Sequence, residues 1–450
     1  MTTFDPENPA RAESLAILDS GFDGLPDFAP AVLDADDRAV LRQVAGRLTD
    51  NYPYHHPLYA GQMLKPPHPL AREAYALAMR LNPNNHALDG GRASSAMEKE
   101  AVAALAAMVG FPEHLGHLTG GGTMANLEAL WVAGRSRPGK RVVASAHAHY
   151  THSRISGVLG LAFESIAVDA HGRMDLDGLA AAIDTGGVGT VVATLGTTGL
   201  GAVDPLADIL RLAAKAGIRV HVDAAYGGYF RLLGDWPEGV DEAFAALGAA
   251  DSVVIDPHKH GLQPYGCGCV LFRDPAVGQF YRHDSPYTYF TSRELHLGEI
   301  SLECSRAGAA AVALWATQTR LPLIPDGEFA AGLAAGRDAA RALQSWLAAD
   351  VRFLTLPAPD LDIVVFAPAG DGSAAGVSAA SQRLFEVAAA DDLHLALIRL
   401  PAAFLARHWP ALGGTPAGDV VTCLRACLMK PEHRDWLPRI FERLAAGVDR

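Results

Sequence analysis

IRVHVDAA (Ile218–Ala225) and SVVIDPHK (Ser252–Lys259) decide the fold. Each is a short β-branched run that stops on charged residues. Runs that are apolar along their whole length are strands buried on both faces of a sheet. RVVASA (Arg141–Ala146), TVVATLGT (Thr190–Thr197) and GCVLF (Gly268–Phe272) have the same character. Between them lie Ala- and Leu-rich stretches that read as helices: Glu98–Val109, Met124–Gly134, Leu176–Ile183 and Pro205–Ala216. This alternation predicts an α/β fold with a mostly parallel, doubly wound sheet. Ligands of such sheets bind beyond the carboxyl ends of the strands.

Outward from this core, the chain divides in three. Residues 1–70 read as a polar N-terminal arm with one helix, around Asp36–Thr49. Its last part, Tyr52–Ala71, is too dense in Pro and His for regular structure. Residues 71–320 form the large domain. Residues 321–450 form a smaller C-terminal α+β domain, with strands at Phe353–Leu356, Asp362–Phe366, His394–Arg399 and Val420–Cys427 and a closing helical run at His433–Ala446.

Composition narrows the function. Of 450 residues, half are hydrophobic and 19% are charged, which excludes a disordered chain. A net charge of −13 argues against a nucleic-acid partner. No apolar run reaches the roughly 20 residues of a membrane span, and MTTFDPENPARAES lacks the apolar centre of a secretion signal. The five cysteines are odd in number and show no CxxC spacing. They fit buried thiols in a reducing cytoplasm.

Four strand-end features carry chemistry. In HLTGGGTMANLEALWVAGR (His117–Arg135), three glycines precede Thr123 and a helix. Glycines at a helix start let backbone N–H groups approach a phosphate, although a tight turn alone would use the same residues. Asp223 ends one buried strand, where a carboxylate requires a cationic partner or a structural salt bridge. Lys259 ends the next one, flanked by His258 and His260. Desolvation there is expected to depress its pKa and make the amine a nucleophile. His147, His149 and His152 cluster in SAHAHYTHSRISGVLG (Ser145–Gly160). They suit a ring that stacks on a cofactor, a packed histidine cluster or, without a Cys or carboxylate nearby, less readily a zinc site. A phosphate cup, a buried Asp, a buried Lys and a flat ring on one sheet edge are together what pyridoxal 5′-phosphate requires.

TGGGTMANLEAL, the His149 segment, ATLGTTGLGAVDP, HVDAAYGG and DPHKH resemble the PLP-dependent group II amino-acid decarboxylases of the aspartate aminotransferase superfamily, fold type I. The resemblance runs from about Tyr54 to Arg425. It implies decarboxylation of an L-amino acid to an amine and CO₂, with Lys259 as the Schiff-base lysine. Asp223 would pair with the pyridine nitrogen, Ala225 would pack on one ring face and His149 would stack on the other. Gly122, Thr123 and His258 would hold the phosphate, and Thr197 falls at a cofactor contact. Arg425 resembles a substrate-carboxylate ligand, and His86 lies in a segment that faces the substrate pocket in the family. Asp256 departs from the pattern, because relatives often carry a phosphate-contacting Asn there. Tyr287 or Tyr289, in HDSPYTYFTSRELH (His283–His296), would return the proton to Cα unless they are an aromatic packing pair. The resemblance also implies a homodimer with active sites at the subunit interface. Transamination or carbon–carbon lyase chemistry remains open, since residues that hold the cofactor do not choose the bond broken.

Overall fold

The structure is a computed structural model that describes residues 8–26, 28–29, 31–237, 239–282, 295–412, 414–416 and 418–449. Seven strands build the large sheet: β1 (Leu115–Thr119), β2 (Arg141–Ser145), β3 (Phe163–Ile166), β4 (Val188–Thr194), β5 (Arg219–Asp223), β6 (Ser252–Ile255) and β7 (Gly268–Phe272). Their spatial order is β1-β7-β6-β5-β4-β2-β3. The pairs from β3 through β6 are parallel, and β7 runs against both β6 and β1. The mostly parallel, doubly wound reading is therefore correct, with one reversed strand.

The β-branched runs explain the sheet. Val191, Val222 and Val253 sit in the middle of β4, β5 and β6 and have no exposed surface. Each contributes roughly 1.5–3 kcal/mol relative to an exposed position. Helices on both faces exclude water. Leu105 and Val109 of the Arg92–Val109 helix pack in the same cluster as Leu118 of β1, and Ala125 and Ala129 of the Gly122–Ser136 helix pack against Val254 and Val270.

The register places the chemistry. Val222 pairs with Val253 and Asp223 with Val254, and the Asp256 N–H then reaches the Ala225 carbonyl. Asp223 and the Asp256–Lys259 turn thus leave the sheet side by side at its carboxyl edge.

Four antiparallel strands, β8 (Phe353–Thr355), β9 (Ile363–Pro368), β10 (Ala396–Pro401) and β11 (Val420–Cys427), form a second sheet in the order β10-β11-β9-β8. The helices Glu328–Ala348, Ala374–Ala390 and His433–Val448 supply Leu343, Leu384 and Leu444 to its core. The Tyr226 hydroxyl donates to Asp362 at 2.6 Å and Arg173 pairs with Asp360 at 2.6 Å, tying this sheet to the large one.

The arm differs from expectation in having two helices, Pro9–Ser20 and Ala35–Leu48. The first begins on an Asn8 cap that accepts the Ala10 N–H, with Pro9 in the first turn. Its apolar residues do not gather on one face, so periodicity does not reveal it. Neither helix buries a residue. The Pro- and His-rich segment is irregular until Pro69, where the Pro69–Met79 helix starts. Within it, Ala60 exchanges backbone hydrogen bonds with His394 and Cys427.

Candidate active site

A cleft of about 550 Å³ opens at the carboxyl edge of the large sheet. Its lining includes Gly120–Thr123, His149, Asp223, Ala225, Asp256, His258, Lys259, Tyr265 and Glu303. Seven residues singled out from the sequence therefore meet in one place: Gly122, Thr123, His149, Asp223, Ala225, His258 and Lys259.

One wall is the glycine turn. β1 ends at Thr119, and the helix begins at Gly122 after Gly121, whose φ of +147° only glycine adopts readily. A Cβ on Gly268 would stand 2.5 Å from the Gly121 carbonyl carbon, so strand β7 presses directly on the turn. The Gly120 N–H donates to Glu303 Oε2 at 3.0 Å. The first N–H groups of a helix lack partners within it, so this end faces the cleft as an anion cradle.

Asp223 is held from two sides. Its Oδ2 accepts from His152 Nε2 at 2.8 Å, and its Oδ1 from the Ala225 N–H at 3.1 Å. Burial alone would raise the pKa of this carboxyl. The His152 hydrogen bond and the nearby charge of Lys259 outweigh burial and hold it well below the usual carboxylate range. Behind it, Asn126 Oδ1 and Ser252 Oγ lie 2.8 and 2.9 Å from the two ring nitrogens of His221. Burial pushes His221 down to about 3, so this ring is neutral.

The Lys259 side chain is 22% exposed, and its Nζ lies 3.1 Å from Asp256 Oδ2. The expected depression of its pKa does not occur. Burial acts in that direction, but the nearby charges of Asp256 and Asp223 prevail and raise the ammonium above its ordinary value. His258 Nδ1 lies 2.8 Å from the Cys267 carbonyl, and the ring tilts on Tyr265 at 4.7 Å between centroids. His149 Nδ1 accepts the Thr151 N–H at 3.2 Å, which fixes the ring over the cleft. Burial lowers its pKa and favours the neutral form.

The three clustered histidines separate. His152 turns inward to Asp223, His147 packs on Phe404, and His149 lines the cleft. No group of three His, Cys, Asp or Glu among the described residues is arranged to hold a metal.

Other sequence-predicted residues among those described do not line the cleft. Thr197 is fully buried, and its Oγ1 accepts the Ala202 N–H at 3.0 Å; Thr194, Gly196 and Thr198 line the cleft around it. Arg425, on β11, donates to the Thr198 carbonyl at 2.9 Å and to Gln62 Oε1 at 3.3 Å. His86 packs against Gly298, and its carbonyl accepts the Gly298 N–H. Tyr287 and Tyr289 lie outside the described residues. Sequence reading gave no role to Tyr265 or Glu303, because neither ends a buried strand nor sits in a recognisable motif. His152 stays within its histidine cluster in the sequence, because its contact with Asp223 is made across 71 positions by tertiary packing.

The residues fit pyridoxal 5′-phosphate. A glycine cradle at a helix start suits the phosphate, an ionised carboxylate suits a protonated ring nitrogen, and an amine lines the same cleft. Comparison with known proteins agrees. A family model described as "Pyridoxal-dependent decarboxylase conserved domain" matches residues 73–367. The probable L-tyrosine/L-aspartate decarboxylase of Methanothermobacter thermautotrophicus is 30% identical over 57% of this chain and 69% of its own length. The L-2,4-diaminobutyrate decarboxylase of Rhizobium meliloti is 37% identical over 46% of this chain and 44% of its own. Among solved structures, mouse CSAD in apo form superposes with a TM-score of 0.77 at 21% identity, covering 100% of this chain and 93% of that one. Oryza sativa TDC with PLP and tryptamine gives 0.76 at 18%, covering 99% of each. At these identities the two structures speak for the fold, which is fold type I.

Proposed function

The chain belongs to the pyridoxal-dependent decarboxylase family, and from that premise we propose that it removes CO₂ from an L-amino acid, leaving the amine, with Lys259 as the residue joined to the cofactor. The observation that carries this reading is the shared cleft: Lys259, Asp223, His149 and the Gly122 helix start all line it. When bound, the cofactor takes up the electron pair left as the Cα–carboxylate bond breaks.

The chain's own groups then have separate tasks. Gly122, Thr123 and His258 hold the phosphate. Asp223 keeps its charge and holds a proton on the ring nitrogen. His149 and Ala225 confine the ring from its two faces. Thr197 and Arg425 shape the wall from behind, and Arg425 and His86 are the candidates to orient the substrate. From the sequence alone, Tyr287 or Tyr289 is assigned the return of a proton to Cα.

The relatives' printed names span aromatic, acidic and basic amino acids, so the substrate is proposed at the level of an L-amino acid. The reading includes a homodimer. Ile17, Phe22, Leu25, Val40, Leu41 and Leu48 of the arm are each about half exposed or more, and a second copy of the chain would cover them. It also includes a cytoplasmic location, supported by five cysteines without a disulfide.

The test is product analysis over a panel of amino acids. Cofactor-dependent release of CO₂ with an equimolar amine supports the proposal. A keto acid or carbon–carbon cleavage without CO₂ overturns it in favour of another reaction of this fold. Borohydride reduction and peptide mapping should place the cofactor on Lys259, and light scattering should give twice the chain mass.

A further inference from the structure

Asp256 follows β6, beside the strand that ends in Asp223, and its side chain is 3% exposed. Its Oδ2 lies 3.1 Å from Lys259 Nζ and 3.6 Å from His258 Nε2. Its Oδ1 is buried without a hydrogen-bond partner among the described residues. A Cβ on Gly122 would stand 2.6 Å from Oδ2, so the carboxylate also lies directly against the start of the cradle helix. Relying on one strong partner, this buried group depends on Lys259 for its charge compensation.

We propose that Asp256 is a positioning residue that grips the Lys259 ammonium whenever this amine is not joined to the cofactor, and thereby sets how readily the lysine takes up an aldehyde. The inference rests on the assignment of Lys259 above. To attack a carbonyl carbon, Nζ must first be neutral. Its proton passes to solvent, the nitrogen lone pair forms the new bond to carbon, and the carbonyl oxygen departs as water. A carboxylate at 3.1 Å stabilises the protonated amine and raises the pH at which this sequence begins.

Other groups face the same amine. Asp223 adds negative charge from β5, and Tyr265 stands on the β6–β7 connection. His149 approaches from the turn after β2, with His258 and His260 on either side in the chain. Asp256 is the group in direct contact, so its removal moves the amine most.

The experiment uses cofactor-stripped protein and pyridoxal 5′-phosphate itself as the probe. Uptake is followed by the absorbance of the lysine-linked form between pH 6 and 10, for the wild type and Asp256→Asn, with borohydride labelling of each. The expected result is a midpoint shifted by about one pH unit or more to lower pH in Asp256→Asn, tenfold in the neutral fraction below the midpoint. Label on Lys259 with an unchanged midpoint overturns the role of Asp256 alone. Label on another lysine overturns the assignment of the site.

A second measurement needs no variant. Acetylation of wild-type, cofactor-stripped protein is read lysine by lysine in a mass spectrometer. The pH midpoint for Lys259 should lie above that for the exposed Lys215. A midpoint at or below that of Lys215 refutes the grip.

Discussion

Strands β5 and β6 lie side by side, and an aspartate stands at or just past the end of each, but the two carboxylates are held in opposite ways. Asp223 accepts from a buried histidine and from a backbone N–H, neither of which takes part in bond making. Asp256 leans on Lys259, the group proposed to react, and leaves one oxygen without a hydrogen-bond partner among the described residues. A buried carboxylate with fixed partners stays charged whatever enters the cleft. One that shares a reactive partner changes state with it. The first arrangement suits a constant task, holding a proton on a ring nitrogen. The second suits a task that alternates during turnover.

The sharpest way to break this comparison is Asp223→Ala. Removing the permanent charge should lower kcat by roughly 10³-fold, about 4 kcal/mol of barrier. Lys259 should still be labelled after borohydride reduction. The decisive measurement is kcat with cofactor occupancy determined on the same sample. A loss within threefold at full occupancy would show that Asp223 is only a structural partner of His152.

His152→Ala tests whether the fixed partner matters. It should cost about tenfold in kcat, because the carboxylate remains but its pKa rises. Stability gives an independent sign. The depressed pKa of Asp223 contributes stability that is fully present above the ordinary carboxylate range. That contribution is lost as pH falls through the folded-state value. The thermal midpoint of His152→Ala should therefore lie below wild type at neutral pH, and the gap should narrow on acidification. A gap that widens in acid would mean that His152 stabilises something other than an ionised Asp223.

Gly122→Ala probes the other carboxylate. The added methyl would stand 2.6 and 2.9 Å from the two Asp256 oxygens. Overpacking of this kind costs about 1–3 kcal/mol. The loss should be expressed as weaker cofactor binding, on the order of tenfold at 1.4 kcal/mol, more than as a fall in melting temperature. Titration of cofactor-stripped protein checks it, and an unchanged Kd would remove both the cradle and the Asp256 contact from the argument.

Much of this contrast is legible in the sequence. Uninterrupted β-branched runs that stop on charge identify buried strands and their functional edge together, which is why Asp223 and Lys259 stand out. What remained hidden depends on tertiary distance. That His152 reaches Asp223, 71 positions on, follows from packing the Thr151–Val158 helix over the sheet, which no local pattern encodes. The sequence shows the burial of Lys259 but not the approach of Asp256, so the pKa shift runs opposite to the one burial predicts. The resemblance alone puts Thr197 at a cofactor contact, and no local pattern shows that its hydroxyl accepts the Ala202 N–H. The Pro9–Ser20 helix escaped because an exposed helix with no apolar stripe has no periodicity to find.

The smallest expected effect concerns Tyr265, which sharpens the β6 side of the comparison. Its ring tilts on His258 at 4.7 Å, and its hydroxyl reaches the Met63 carbonyl at a long 3.4 Å. Ring and hydroxyl therefore have different weights. A hydrogen bond of that length is near the limit of what contributes, whereas an aromatic contact of this kind is worth about 0.5–1.5 kcal/mol. Tyr265→Phe keeps the contact and should change kcat and cofactor affinity by less than about twofold, a few tenths of a kcal/mol. Tyr265→Ala frees the His258 ring on the side facing the cleft and should weaken cofactor binding by about three- to tenfold, with kcat at saturating cofactor nearly retained. The pair is measured as Kd and kcat on the same preparations. If Phe is as damaging as Ala, the hydroxyl has a role in the chemistry that its position beside Met63 does not suggest, and the proton assigned to the loop tyrosines must be sought at Tyr265.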